Sequence, residues 1–345
     1  MLAVGGVLIS HYLPEDAPFQ FLPWGPLGVQ LFFVISGFLI TGILLDLRPD
    51  AGSPGLGDAL RIFYIRRFLR IFPPYYLLLL VYLVAGIGFP HGAAWACPLY
   101  VFNFLALFVN DPFNYLGHLW TLCVEEQFYL VWPFVVLVVP RGQLCRVALL
   151  LVIAAPLFRM LLEGIGLPYP AIRNLPLSQF DALAGGALLA MLRNGFGIPG
   201  TTAIWEKWRM TVAIAGGLFY LAALKWPFNP MHAMTGATGS ALLMMAIVDW
   251  AAYGRNGVAR HLLMLRPFVY IGKISYGIYL YQFVSLFVVY KLQHLLRHPA
   301  LMNHAYGFGA VWGVVTLVVA IGSWHLFEQP VLRFKRYFPY HPGVS

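Results

Sequence analysis

The chain has 345 residues; 60% are hydrophobic, only 10% are charged, and the mean hydropathy is +0.75. Soluble domains carry about 25% charged residues, so this composition excludes a disordered chain, a fibrous one and an ordinary soluble enzyme. The net charge is +9, from 22 Lys+Arg against 13 Asp+Glu. The basic residues lie in short loops between apolar runs, which reads as topology signalling and not as a nucleic-acid surface.

A helix needs about 20 apolar residues to cross ~30 Å of hydrocarbon. Residues 2–13 are apolar but too short for that. Residues 27–45 and 71–89 carry no charge, and 95–109 is a short apolar stretch interrupted by Pro98 and Asn103. Residues 116–139, 147–162 and 177–192 are apolar with internal charges. Residues 210–224, 231–248, 274–290 and 305–324 are again free of charge. The pattern predicts an all-α, polytopic membrane helix bundle of about ten transmembrane helices. It forms one membrane-embedded domain over 1–345, with no soluble domain and no internal repeat. Cys97, Cys123 and Cys145 have neither metal-ligand spacing nor a pairing pattern and read as small apolar filler.

The positive-inside rule decides the status of 95–109. If the N-terminus is cytoplasmic and 95–109 does not cross, only Arg173, Lys225, Lys291 and Arg297 fall outside. Arg159 and Lys273 then lie within spans, and the other 16 of the 22 basic residues are inside. If 95–109 crossed, every later loop would switch sides and at most 9 would remain inside. The chain is therefore expected to make ten crossings of the cell (inner) membrane, with both termini cytoplasmic and 95–109 re-entrant or interfacial.

Ionisable groups inside spans are costly and mark function or helix pairing. Glu125 and Glu126 sit near the outer end of an otherwise apolar run. On a helix they point about 100° apart, so they do not chelate one ion, and no metal is expected. One can face a reaction chamber while the other pairs with a basic group such as Arg159; equally, both can tie neighbouring helices. His11 follows apolar and small residues and precedes Pro14. It is either a packing residue or a base, because a neutral imidazole accepts a proton from a hydroxyl near pH 7. Arg66, Arg67 and Arg70 share helical faces at the inner boundary. There they suit phosphates, through bidentate hydrogen bonds, as well as they suit lipid headgroups. Asp181, Asp249 and Glu328 are open between pairing and function, and Gly185-Gly186 permits close helix approach.

Four blocks occur in an order that resembles the acyltransferase 3 family of polytopic membrane acyltransferases, which includes O-antigen acetylases. They are residues 28–40 (GVQLFFVISGFLI), 66–73 (RRFLRIFP), 118–129 (HLWTLCVEEQFY) and 274–281 (ISYGIYLY). The resemblance runs over essentially the whole chain. It implies an acyl group, often acetyl, taken from acyl-CoA and delivered to a hydroxyl of a carbohydrate, a glycolipid or a glycosylated product, in contact with membrane lipids. His11 matches the histidine of the family's first helix. That histidine's basic partner would fall one residue before Met1, so the numbered chain is expected to begin inside its first helix. Gln282 stands where many members have a second histidine.

Joined, these readings predict CoA phosphates on Arg66, Arg67 and Arg70, a thioester presented near His11, and His11 as general base. Glu125 or Glu126 would orient the imidazole. Direct transfer and an acyl-imidazole intermediate are both open. The competing class is a transporter or flippase for a lipid-linked glycan, which would move its substrate unmodified; such proteins often carry inverted repeats. Topology is checked with reporters fused near Gly142 and Asn229: the first should read cytoplasmic and the second external. An external signal at Gly142 would refute the ten-crossing arrangement.

Overall fold

A backbone amide inside hydrocarbon finds no water, so each apolar run must close its hydrogen bonds within itself. The computed structural model describes residues 1–14, 16–18, 20–48, 55–87, 94–108, 116–195, 200–225, 230–254, 257–296 and 304–340, and among them only helices and turns occur. The helices are α1 (Leu2–Tyr12), α2 (Trp24–Asp46), α3 (Leu56–Val84), α4 (Leu119–Val138) and α5 (Arg141–Gly164). They continue with α6 (Tyr169–Arg173), α7 (Phe180–Arg193), α8 (Thr201–Lys225), α9 (Pro230–Tyr253) and α10 (Val258–Leu263). The last are α11 (Arg266–Leu295), α12 (Ala305–Ser323) and α13 (Gln329–Leu332). Ten of them fall on the ten predicted spans; α6, α10 and α13 are short connectors. Among the described residues, six stretches are long and apolar enough to cross a bilayer: α2, α3, α4, α5, Thr235–Tyr253 within α9, and Ala305–Tyr337. The protein is a multi-pass, all-α membrane protein. Its outward faces carry exposed Val84, Leu150, Leu161, Leu218 and Val318, as a lipid-facing surface requires.

Residues 94–108 form turns and a 3-10 helix at Phe102–Leu107 instead of a spanning helix; Val109 lies outside the described residues. Irregular backbone is tolerated at membrane depth only where protein satisfies it. Here Tyr75 donates to the Cys97 carbonyl at 2.8 Å, and Gln127 Nε2 donates to the Tyr100 carbonyl at 2.7 Å and to Asn103 Oδ1 at 2.9 Å. Tyr100 has φ +54°, a left-handed conformation that a bulky residue rarely adopts. Its ring lies on that of Tyr75 at 4.3 Å, which holds it there.

Among the described residues four apolar clusters result, two of them large. One joins α2, α4, α5, α7 and α9 through Phe33, Val34, Trp132, Leu183 and Met245. The other joins α3, the 94–108 segment, α4 and α11 through Tyr75, Tyr82, Phe102, Leu119 and Leu280. The three cysteines are buried and none forms a disulfide. Helices α2 and α7 cross at their glycines. A Cβ on Gly37 would overlap the Leu183 carbonyl, and one on Gly186 would overlap the Val34 carbonyl, so a side chain at either position would separate the helices.

The buried charges are mostly consumed in pairing. Arg159, 1% exposed, donates to Asp181 Oδ2 at 2.6 Å, to Thr238 Oγ1 at 2.7 Å and to the Ser178 carbonyl. The expected pairing of Arg159 with Glu125 or Glu126 is thereby corrected: α5 packs on α7, and Asp181 in the first turn of α7 is the carboxylate it meets. Arg193 closes on Asp249 through two bonds of 2.5 and 2.7 Å, tying α7 to α9. Both aspartates are therefore helix ties. Removing one member of such a pair strands a charge in the core and costs about 3–5 kcal/mol, whereas replacing both with apolar groups is close to neutral. Asp181→Leu should therefore lower the Tm of the purified protein sharply, and the Arg159→Met/Asp181→Leu double variant should regain most of the loss, as read by thermal unfolding in detergent.

Candidate active site

Two polar regions remain that the pairing does not absorb. The first is a chamber of about 570 Å³ bordered by the ends of α1, α4 and α6, by the middle of α11 and by parts of α2, α5, α8 and α9. His11, in the last turn of α1, is exposed to it and also borders a second cavity of about 440 Å³, so the imidazole stands where the two meet. The ring packs edge-on against Phe283 at 5.3 Å. Neither nitrogen has a hydrogen-bond partner among the described residues, so both are available to a ligand.

His118 faces the same chamber. Its Nε2 lies 3.0 Å from the Leu280 carbonyl. A carbonyl only accepts, so Nε2 carries the proton and Nδ1 presents a lone pair. That Nδ1 is buried and has no partner. The ring is fixed by Phe283, with centroids at 5.0 Å, and by Tyr279 at 5.6 Å. The Tyr279 hydroxyl is 2.7 Å from Thr121 Oγ1 and donates to the His118 carbonyl at 3.0 Å, which locks α11 to the start of α4.

The second region lies on the other side of Tyr279. Glu125 accepts from Ser36 Oγ at 2.6 Å, while Glu126 Oε1 is buried without a partner. Arg67 sits over the rings of Tyr129 and Phe63, at 5.5 and 5.8 Å, and attracts both carboxylates. Arg70 lies over Trp324 and Tyr276, donates to the Lys273 carbonyl at 3.3 Å, and is attracted to Glu328. Glu328 ends a single π-helical turn, Trp324–Glu328, and its Oε2 is buried and unpartnered. Such turns are frequent at functional sites. Arg66 is employed differently. It donates to the Lys335 and Phe338 carbonyls at 3.1 and 2.8 Å and stacks on Tyr340, clamping the C-terminal segment. The Lys335 amine lies close enough to Arg66, Arg67 and Arg70 to be repelled by them when charged.

The structure thus brings Arg67 together with Glu125 and Glu126, and Arg70 with Glu328. It does not bring either of Glu125 and Glu126 into the lining of the His11 chamber. A polar neighbour of His11 there is His118, close enough for the two rings to interact electrostatically. His118 stands at the head of the 118–129 block, whose two glutamates are its more conspicuous ionisable groups. Its signal was a histidine at the mouth of an apolar helix. Arg173, also in the chamber lining, was counted only for topology.

A family model described as an acyltransferase domain matches residues 1–323, and the chain belongs to this acyltransferase 3 family. It is 28% identical to the peptidoglycan O-acetyltransferase OatA of Listeria monocytogenes, over 98% of this chain and 56% of that protein. It is 27% identical to the putative peptidoglycan O-acetyltransferase YrhL of Bacillus subtilis, over 91% of this chain and 51% of that one. A putative O-acetyltransferase of Staphylococcus aureus is 38% identical over 148 residues, covering 39% of this chain and 23% of that protein. The chain spans about half the length of the first two relatives. No solved structure matches it.

Proposed function

We propose that this chain is a membrane-bound O-acyltransferase that moves an acetyl group from acetyl-CoA to a hydroxyl of a carbohydrate, glycolipid or glycosylated product. The observation that carries the proposal is His11, an imidazole with two unbonded nitrogens at the junction of two cavities. The family and its relatives support the reaction class, and two of those relatives are named as peptidoglycan O-acetyltransferases, which supports a glycan acceptor. The chain works in a cell's inner membrane with both termini cytoplasmic, as its loop charges suggest.

In this reading the acceptor occupies the His11 chamber and the donor enters from the arginine side. Arg67, Arg70 and Lys335 meet the CoA phosphates, since half-buried guanidinium groups bind phosphate through charge-assisted, forked hydrogen bonds. Glu125, Glu126 and Glu328 set the arginines; they do not act on the imidazole. Tyr279 forms the wall between the regions, so the thioester must arrive beside it. His118 Nδ1 accepts a hydrogen bond from the acceptor and holds it against His11. His11 then takes the proton of the reacting hydroxyl as its oxygen attacks the thioester carbonyl. The C–S bond breaks, the new ester C–O bond remains, and the proton passes from His11 to the departing thiolate, releasing free CoA.

Losing a general base costs about 10²–10⁴-fold in rate. His11→Ala should lower kcat by that factor while leaving the Tm unchanged, with thiol release as the readout. Near wild-type turnover would end the proposal; so would movement of an unmodified glycan with no thiol released. Arg67→Ala should chiefly raise the KM for acetyl-CoA. Arg66→Ala should instead loosen the C-terminal segment, seen as faster proteolysis of that segment, with a smaller effect on KM. An unchanged KM for Arg67→Ala would reduce the arginines to lipid anchors.

A further inference from the structure

Arg173 is one of four basic residues that the loop charges assign to the outer side, and it lines the His11 chamber. Its guanidinium lies on the face of Trp120 at 5.2 Å. It makes no ion pair and no side-chain hydrogen bond among the described residues, and its Nε is buried without a partner. The arginines in the helix core differ: Arg159 has Asp181, Arg193 has Asp249, and Arg48 has the Val136 and Val139 carbonyls.

The backbone of Arg173 is nevertheless held by a buried polar chain. Gln30 donates to Gln179 at 2.9 Å, and Gln179 donates to the Arg173 carbonyl at 2.7 Å. Asn103 donates to the next carbonyl, that of Asn174, at 3.0 Å. A five-residue helix is thus fixed from α2 and from the 94–108 segment, and a half-buried cation with no ion pair among the described residues is laid on an aromatic face in the chamber wall. A cation so placed in a low-dielectric chamber needs a counter-charge, and the described lining supplies none.

We propose that Arg173 is an anion-binding site for the acceptor, so that the chamber selects a sugar bearing a carboxylate or a phosphate. The proposal rests on the carbohydrate-acceptor reading and names the substrate class within it. The chamber volume of about 570 Å³ lies within the ~300–1,000 Å³ usual for small-ligand pockets. The guanidinium binds the acidic group through its fork, and Trp120 keeps the side chain from swinging away. His11 and His118 meet the sugar's hydroxyls.

The test is binding, independent of turnover. The purified full chain in detergent is titrated with methyl glucuronide, glucose 1-phosphate and methyl glucoside, with thermal stabilisation as the readout. A charge-assisted hydrogen bond predicts that at least one anionic sugar binds about tenfold or more tighter than the neutral one. Preference for the glucuronide identifies a carboxylate sugar, and preference for the phosphate identifies a sugar phosphate such as a lipid-linked glycan carries. Arg173→Gln should erase the preference while leaving the affinity for methyl glucoside and for acetyl-CoA unchanged. If that variant loses its fold, Arg173→Met, which keeps an apolar stem on Trp120, is read by the same criterion. Equal binding of the three sugars, no binding of the anionic ones, or a preference that survives the substitution overturns the proposal. So does weakened acetyl-CoA binding in Arg173→Gln, which would put the donor's phosphates there. A wild-type chain that releases no thiol from acetyl-CoA would fail the acyl-transfer reading and leave the sugar measurement standing.

Discussion

The cost of an unpaired charge in hydrocarbon governs this molecule. A bilayer offers ionisable side chains no water, so each must be neutralised by a neighbour or kept for a ligand. The protein meets that constraint at Arg159–Asp181 and Arg193–Asp249, where helix contacts bring opposite charges to 2.6 and 2.5 Å. Those pairs fix which helices adjoin. They also make the remaining exceptions informative: His118 Nδ1, the Arg173 guanidinium, Glu126 Oε1 and Glu328 Oε2 are polar groups that the fold holds in place and leaves unsatisfied.

The exceptions divide into two sets on either side of Tyr279. In one set, two imidazoles and an arginine line a single chamber. In the other, arginines and glutamates alternate between α3, α4 and the π-helical turn after α12. The rigidity of both sets comes from aromatic packing. Phe283 fixes His11 and His118, Trp120 carries Arg173, and Tyr129 and Phe63 carry Arg67. In the proposed acyl-transfer reading, donor and acceptor are chemically unlike, and two differently charged groups of side chains would let each be recognised by its own pattern.

Much of the architecture was legible in the residues. The ten apolar runs, the interrupted 95–109 stretch and Gly185-Gly186 each reported a local requirement: length to cross, a break in helical bonding, and room for a neighbouring backbone. His11, Arg67 and the two glutamates were legible as candidates because ionisable groups are conspicuous in apolar runs. Their grouping was not. Glu125 and Glu126 were expected beside His11 or Arg159, and the fold sets them beside Arg67. His118 and Arg173 looked unremarkable, one as part of a block and the other as a loop charge.

Composition, span length and loop charge determined by themselves that this is an all-α, multi-pass membrane protein, since hydrocarbon thickness and backbone hydrogen bonding act locally on any chain. Only the tertiary structure decided which charge meets which. Pairing across a bundle depends on helix rotation and crossing, as where Gly37 and Gly186 let α2 and α7 touch, and a fraction of a turn exchanges one partner for another. The same packing left His118 Nδ1 and Arg173 Nε without hydrogen-bond partners among the described residues beside one chamber, a property that belongs to the space between helices and to no single stretch of sequence.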